Sequence, residues 1–283
     1  MADFLKKNII ALGFFDCVHA AHRKILAAAR ETAEKTGGIS AAITFDTNIK
    51  SMPVVYDYEE RTKLLGELCD KVISFEFSEE FRSTRAADFL EMLLARYNAA
   101  GFACGYDYTF GRNAEGDSKL IAQFARDHSL PCVVTEKYCI DGEPVSSTRI
   151  RNLLLSGDVK TAGKLLVKPY HIRQKVMHGR GQGHLFGFPT INFMPKTGII
   201  LPKTGVYSTM SDINGKLYKS VTNIGDKPTF GDKTISIETF VDGFSGDLYD
   251  AEVTVYFYKR IRDVIKFQSP EQLKKQIYDD IGR

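Results

Sequence analysis

Two histidines three residues apart, His19 and His22, stand in the stretch GFFDCVHAAH at residues 13–22, between an apolar run, NIIAL, and a long helical pattern. That spacing puts both imidazoles on one face of a helix start. There they can donate hydrogen bonds to phosphoryl oxygens as negative charge builds on them. The same pair also suits zinc, and polar residues at a helix start are commonly caps; taken alone, the pair leaves all three readings open. Two further stretches carry matching chemistry. TFGRNAEGD, residues 109–117, is a glycine-bearing loop with Arg112 ahead of a helical pattern, and VSSTRIR, residues 145–151, sets Ser146, Ser147 and Thr148 at a helix start followed by Arg149 and Arg151. Each is weak by itself, because hydroxyls are common caps and arginines usually sit in solvent. Together with the histidines, at the ends of different strands, they describe a site for a nucleoside triphosphate.

Turns of this kind need a scaffold that brings them to one place, and the periodicity of the first half supplies it. NIIALGF reads as a strand and HRKILAAARETAEKTGG as a helix, with Ile25, Leu26 and Ala29 at helical spacing and Gly37 and Gly38 as the stop. The alternation continues through ISAAITF, YEERTKLLGELC, KVISFEF, AADFLEMLLARY, GFACGYDY, GDSKLIAQFARDH, PCVVTEKYCI and SSTRIRNLLLSGD. This is the pattern of an α/β domain, a Rossmann-like parallel sheet with helices on both faces. Ligands bind such sheets beyond the carboxyl ends of the strands, where a helix N-terminus offers free N–H groups and a positive dipole end. His19 and His22 fall at such a point.

Near Lys168 and Pro169 helical periodicity gives way to period-two alternation with turn signals, which places one domain at residues 1–165 and another at 166–283. GVYSTM and KLYKSVTNIG flank DINGK, whose Asn214-Gly215 pair is a strong hairpin signal, and AEVTVYFY alternates Val253, Val255 and Phe257 with other residues. An antiparallel β-barrel fits. The closing SPEQLKKQIYDDI has Ser269 at the N-cap, Pro270 at the first helical position and Gln272 at the capping-box position, so a terminal helix should pack on that barrel.

The composition, 43% hydrophobic and 26% charged over 283 residues, is that of a soluble globular chain with room for two domains, and it excludes disorder and fibre. A net charge of +3 does not argue for a nucleic-acid partner, though it suits modest attraction to phosphorylated small molecules. The five cysteines, Cys17, Cys69, Cys104, Cys132 and Cys139, are an odd set without C-x-x-C spacing, which reads as free thiols in a reducing cytoplasm. No stretch approaches the roughly 18 to 20 apolar residues of a membrane span, so no membrane association is expected. Oligomeric state cannot be read from the sequence.

The motifs together resemble the bacterial bifunctional riboflavin kinase/FMN adenylyltransferases, or FAD synthetases, whose first domain carries G-x-F-D-G-V-H-x-G-H, an F-G-x-x-x-x-G-D loop and an I-S-S-T-x-x-R segment. The resemblance covers nearly the whole chain. It implies a nucleotidyltransferase-like first domain in which Gly13, Phe15 and Asp16 line the nucleotide with Asp107, Phe110, Gly111, Arg112 and Asp117. Ser146, Ser147 and Thr148 would join them, and His19, His22 and Arg151 would act in catalysis. In the second domain GFPTIN, residues 187–192, is similar to the kinase signature G-F-P-T-A-N. By that match Thr190 and Asn192 would hold Mg²⁺ and the ATP phosphates, with Gly179, Gly183, Gly187 and Pro189 shaping the approach; a hydroxyl and an amide carbonyl are hard oxygen ligands suited to the ion. SIETF, residues 236–240, matches the strand whose glutamate is the base, so Glu238 would take the proton from the ribityl 5′-hydroxyl. RIRDVIKFQSPEQLKKQI matches the closing loop and helix, with Arg262 and Phe267 toward flavin and phosphate. The implied reactions convert riboflavin to FMN and FMN to FAD, each with ATP.

The chain departs from the family in places. Cys17 and Ala21 stand where the family has glycines, TFDTNIK replaces T-F-x-P-H-P, and His184 replaces an arginine. These changes set two other readings beside the bifunctional one: a riboflavin kinase whose first domain is a nucleotide-binding or scaffold module, and a non-enzymatic flavin- or nucleic-acid-binding regulator. Thr190, Asn192 and Glu238 are all present, and no basic stripe stands out, which weighs against the regulator.

Overall fold

The computed structural model describes residues 6–46, 53–177, 190–229, 232–246, 248–249 and 251–282. By internal contacts the chain divides into two units, Met1–Ser147 and Thr148–Arg283.

The first unit runs β1 (Asn8–Leu12), α1 (Ala20–Thr36), β2 (Ile39–Phe45), α2 (Tyr58–Gly66), β3 (Lys71–Phe75), α3 (Glu79–Ser83), α4 (Ala86–Tyr97), β4 (Ala99–Gly105), β5 (Thr109–Phe110), β6 (Gly116–Asp117), α5 (Ser118–Asp127), β7 (Cys132–Thr135), β8 (Cys139–Ile140) and β9 (Glu143–Pro144). Five strands form one parallel sheet in the order β3-β2-β1-β4-β7. From β1 the chain steps outward through β2 to β3, then returns to place β4 on the other side of β1. That reversal opens a crevice above the carboxyl ends of β1 and β4, where open α/β sheets bind ligands. Helix α1 carries Ile25, Leu26, Ala29 and Ala33 on its buried face and ends at Gly37 in left-handed backbone, as its spacing predicts. β4 stops at Gly105, earlier than GFACGYDY suggests, because Tyr108 N–H turns back to Gly105 O. PCVVTEKYCI divides into sheet strand β7 and a small ribbon of β8 with β9.

The second unit carries α6 (Ser147–Ser156, beginning at the boundary residue), α7 (Val159–Leu166), β10 (Tyr170–Lys175), β11 (Thr190–Phe193), β12 (Gly205–Ile213), β13 (Lys216–Thr229), β14 (Asp232–Val241), β15 (Glu252–Arg262) and α8 (Pro270–Ile281). The sequence draws its domain line at 165/166, where the periodicity changes; the contacts draw theirs after Ser147, the first residue of α6, and α7 buries Val159, Ala162, Leu165 and Leu166 and packs against β10 and β15. Six antiparallel strands lie in the order β10-β15-β12-β13-β14-β11. The two edges approach each other beyond β10, where Met177 N–H donates to Asn192 O at 3.0 Å, so the sheet curls into a half-barrel. Asn214 and Gly215 take φ of 53° and 81°, the left-handed pair that a tight two-residue hairpin requires.

Ser269 caps α8 by accepting the Gln272 N–H, with Pro270 at the first helical position. The Gln272 side chain reaches back to Gln268 N–H rather than to the cap residue. α8 is tied to the half-barrel by Arg262, whose Nε and Nη2 donate to Asp280 Oδ2 at 2.9 and 2.8 Å. Asp280 is fully buried, and Gln276 donates to its other oxygen. Removing one partner of such a pair strands the other charge, so Asp280→Asn is expected to destabilise the protein by about 3 kcal/mol. Urea unfolding followed by far-UV dichroism reads this directly; an unchanged midpoint would mean that the pair holds nothing together.

Candidate active sites

In the first unit the candidate site is built on the loop from β1 to α1. β1 is buried along its whole length and fixes where Gly13 leaves the sheet. A Cβ at Gly13 would lie 2.8 Å from the Phe15 ring, so only glycine fits. Phe15 and Val18 both take left-handed backbone, with φ of 53° and 48°. That conformation is strained for a β-branched residue and persists only where the surroundings over-determine it. Residues 15–19 are all buried, and Asp16 Oδ1 accepts the Val55 N–H at 3.0 Å. Asp16, expected as a nucleotide contact, thus holds the loop from inside.

His19 is the N-cap of α1, its Nδ1 accepting the His22 N–H at 3.1 Å. The two imidazoles stack with centroids 3.5 Å apart and planes inclined by 15°, and the Phe15 ring meets His22 edge-on at 5.2 Å. Burial pushes the His19 imidazole down to about 4, against a smaller opposing effect of its own backbone. The ring is therefore neutral at physiological pH, and because Nδ1 accepts, its proton resides on Nε2. His19 combines two of the roles its spacing allows: it caps the helix with one nitrogen and keeps an N–H donor on the other. Cys17 Sγ lies 3.6 Å from Ser147 Oγ, which joins the first residue of α6 to this loop. Ser146 and Ser147 are half-buried. Thr148, exposed, and Arg151, buried, follow on α6 in the second unit.

The second loop of this unit leaves β4, the neighbour of β1 across the switch point. Gly111 has φ of 75°, and a Cβ there would meet Ala86 N at 2.7 Å. Phe110 is buried and stacks on Tyr108 at 5.7 Å. Asp117 caps α5, accepting the Leu120 N–H at 2.9 Å. These three residues shape the loop, while Asp107 and Arg112 leave their charged groups exposed, Arg112 at 4.0 Å from Glu115.

Arg61 is a buried charge that the sequence reading did not single out. Its Nε donates to Thr44 Oγ1 at 2.9 Å, Nη2 donates to Phe45 O, and the guanidinium lies 4.5 Å from the Phe14 ring centroid. Burial lowers its pKa, while Asp16, Asp57 and Tyr58 act in the opposite sense. Its spacing to Leu64 and Leu65 puts it on the apolar stripe of α2, which is the signal that finds it.

In the second unit the strand register assembles the candidate site. Asn192 of β11 is directly opposite Glu238 of β14, and on the other side Glu238 faces Asn223 of β13. Thr190 lies two residues from Asn192, hence on the same face of β11, opposite Phe240. Thr190, Asn192, Asn223 and Glu238 are half-buried, and Asn192 Nδ2 donates to Thr190 O at 3.5 Å. Asn223 was missed by the sequence reading; an asparagine within a strand, where asparagine is depleted, was its only mark. Gly179, Gly183, Gly187 and Pro189, with His184, lie outside the described residues. Arg262 and Phe267 come together, the guanidinium 5.8 Å from the ring centroid, with Arg262 also engaged by Asp280.

Behind Glu238, the alternating face of these strands carries a chain of buried hydroxyls. Ser211 bonds Ser220 at 3.0 Å, Ser220 bonds Thr209 at 2.8 Å, Thr209 bonds Thr222 at 3.0 Å and Thr222 bonds Thr239 at 2.9 Å. Each buried hydroxyl is thereby satisfied.

Comparison with known proteins covers both units. The family described as FAD synthetase matches residues 2–149, and the family described as riboflavin kinase matches residues 166–283. The chain is 34% identical to the bifunctional riboflavin kinase/FMN adenylyltransferase of Bacillus subtilis, over 97% of this chain and 90% of that one. It is 32% identical to the protein of the same name from Pseudomonas fluorescens, over 97% and 91%. Among solved structures, one described as a macrolide-efflux protein from Streptococcus pneumoniae matches with a TM-score of 0.87 at 28% identity, covering 98% of this chain and 93% of that one. No helix among the described residues is long and apolar enough to cross a membrane.

Proposed function

The chain belongs to the family of bifunctional riboflavin kinase/FMN adenylyltransferases, and from that premise we propose how its residues divide the work. The protein is a transferase that phosphorylates riboflavin to FMN and adenylylates FMN to FAD, using ATP in both steps. The match of residues 2–149 to FAD synthetases favours two activities over a kinase with an inert first domain. In this reading residues 1–165 carry adenylyl transfer and 166–283 the kinase.

The observation that carries the kinase assignment is the register that sets Asn192 beside Glu238 with Thr190 on the same face. Glu238, between two amides, accepts the proton of the ribityl 5′-hydroxyl as its oxygen attacks the γ-phosphorus of ATP. The donor set, a hydroxyl and an amide oxygen two residues apart, fits a hard divalent cation, which we take to be Mg²⁺. When bound, the ion neutralises charge on the ATP phosphates. Thr190→Ala is expected to raise the Mg²⁺ concentration for half-maximal FMN formation by about tenfold, equivalent to about 1.4 kcal/mol. Coincident magnesium titrations of variant and wild type would place the cation elsewhere.

For adenylyl transfer, the phosphate of FMN attacks the α-phosphorus of ATP and pyrophosphate departs. His19 donates from Nε2, and His22 lies one helical turn on; both stand at the α1 N-terminus, whose dipole favours the developing negative charge. The site needs no covalent intermediate.

A further inference from the structure

Cys17 has no part in the reaction just described, and it stands where the family pattern has glycine. Its sulfur and one ring nitrogen each from His19 and His22 lie within 4.8 Å of one another. A thiolate and two imidazoles are a donor set for zinc, with bonds of about 2.3 Å to sulfur and about 2.0 Å to nitrogen. The two rings stack 3.5 Å apart with planes inclined by 15°, so their in-plane lone pairs run nearly parallel, and a tetrahedral ion requires one ring to turn out of the stack as the ligands draw closer.

We infer that Cys17, His19 and His22 form a binding site for a thiophilic divalent cation of the Zn²⁺ class, whose occupancy switches off FAD formation. The imidazole that serves the nucleotide cannot serve the metal in the same form. With Nδ1 accepting the His22 N–H, His19 presents Nε2–H, a donor for phosphate. To ligate a metal through Nε2 it must present a lone pair there. The proton then moves to Nδ1, and the cap bond from His22 N–H is lost at about 1 kcal/mol, small beside the affinity of a thiolate–imidazole zinc site. The Cys17 thiol releases its proton to the buffer as the sulfur–metal bond forms; no electron changes hands. Three protein ligands leave a fourth position to water. Mg²⁺, which prefers oxygen and keeps its waters, does not compete for sulfur and nitrogen, and Zn²⁺ at this site does not touch Thr190, Asn192 or Glu238. Metal should therefore divide the two activities, sparing the kinase. The inhibitory consequence rests on the adenylyltransferase assignment; the binding itself does not.

The test uses Co²⁺ as an optical stand-in for Zn²⁺, titrated into the full-length reduced protein without nucleotide. The expected result is a thiolate-to-cobalt charge-transfer band in the near ultraviolet that saturates at one metal per chain, is bleached by Zn²⁺, survives in Cys139→Ser and is lost in both Cys17→Gly and Cys17→Ser. Cys139 is the control because it is the exposed thiol. In parallel, Zn²⁺ should abolish FAD formation from FMN and ATP in the wild type and leave Cys17→Gly insensitive at the same concentration. No band, or a band that persists without Cys17, overturns the site whatever the enzyme does with FMN. A band with zinc-insensitive FAD formation keeps the site and overturns the switch.

Discussion

Glu238→Gln is expected to lower FMN formation from riboflavin by about 10²- to 10⁴-fold, the usual effect of losing a positioned general base. The amide is isosteric, and Glu238 is one rung of a ladder with Asn192 and Asn223 on either side; a glutamine keeps that register and removes the carboxylate. The loss should appear in kcat, with unfolding by heat unchanged. Because His19 and His22, which serve adenylyl transfer, lie in the other contact unit, conversion of supplied FMN to FAD should continue at the wild-type rate. Near-normal kinase turnover in the variant would falsify the role assigned to Glu238.

His22→Ala is expected to cut FAD formation from FMN and ATP by about 10²- to 10³-fold, the scale on which one donor to a developing phosphoryl charge matters. The His22 ring is stacked on His19 and held edge-on by Phe15, so truncation removes a pre-positioned group from a loop already strained at Phe15 and Val18. The His22 N–H, and with it the cap bond to His19, survives in alanine. Ala21→Gly tests the same loop from the other direction. Restoring the family's glycine takes a methyl from beside the nucleotide and should raise the rate, by up to about 10²-fold if the present geometry is displaced by about 1 Å. It also places glycine in the first turn of α1, at about 1 kcal/mol of helix stability. A faster and slightly less stable variant is the expected combination; a slower one would mean that the loop has adapted to alanine.

The parallel sheet, the hairpin at Asn214-Gly215 and the caps of α1 and α8 were legible in the sequence because each rests on local chemistry: apolar period, a left-handed pair, a hydroxyl or imidazole before a helix. α3 and α7 were missed although Ser78 and Asp158 cap them, because 5 and 8 residues are too few turns to show a helical period. β10 was hidden because YHIRQK shows no clean alternation, and its pairing with β15 decides it. At the sites, motif residues proved to have mixed roles. Asp16 and Asp117 look like ligands by position, yet each accepts a backbone N–H that shapes its loop. Asn223 and the hydroxyl chain of Thr209, Ser211, Ser220, Thr222 and Thr239 could not be read in advance, since only the register of β12, β13 and β14 brings them together.

The central claim, that one chain makes FMN and then FAD from it, is tested most directly by chromatography of the flavins formed from riboflavin, ATP and Mg²⁺ over time, beside a reaction started from FMN. The account predicts that FMN rises first and FAD follows, and that the second reaction yields FAD with no riboflavin present. FMN as the lasting end product of the first reaction, with FMN returned unchanged from the second, would contradict it.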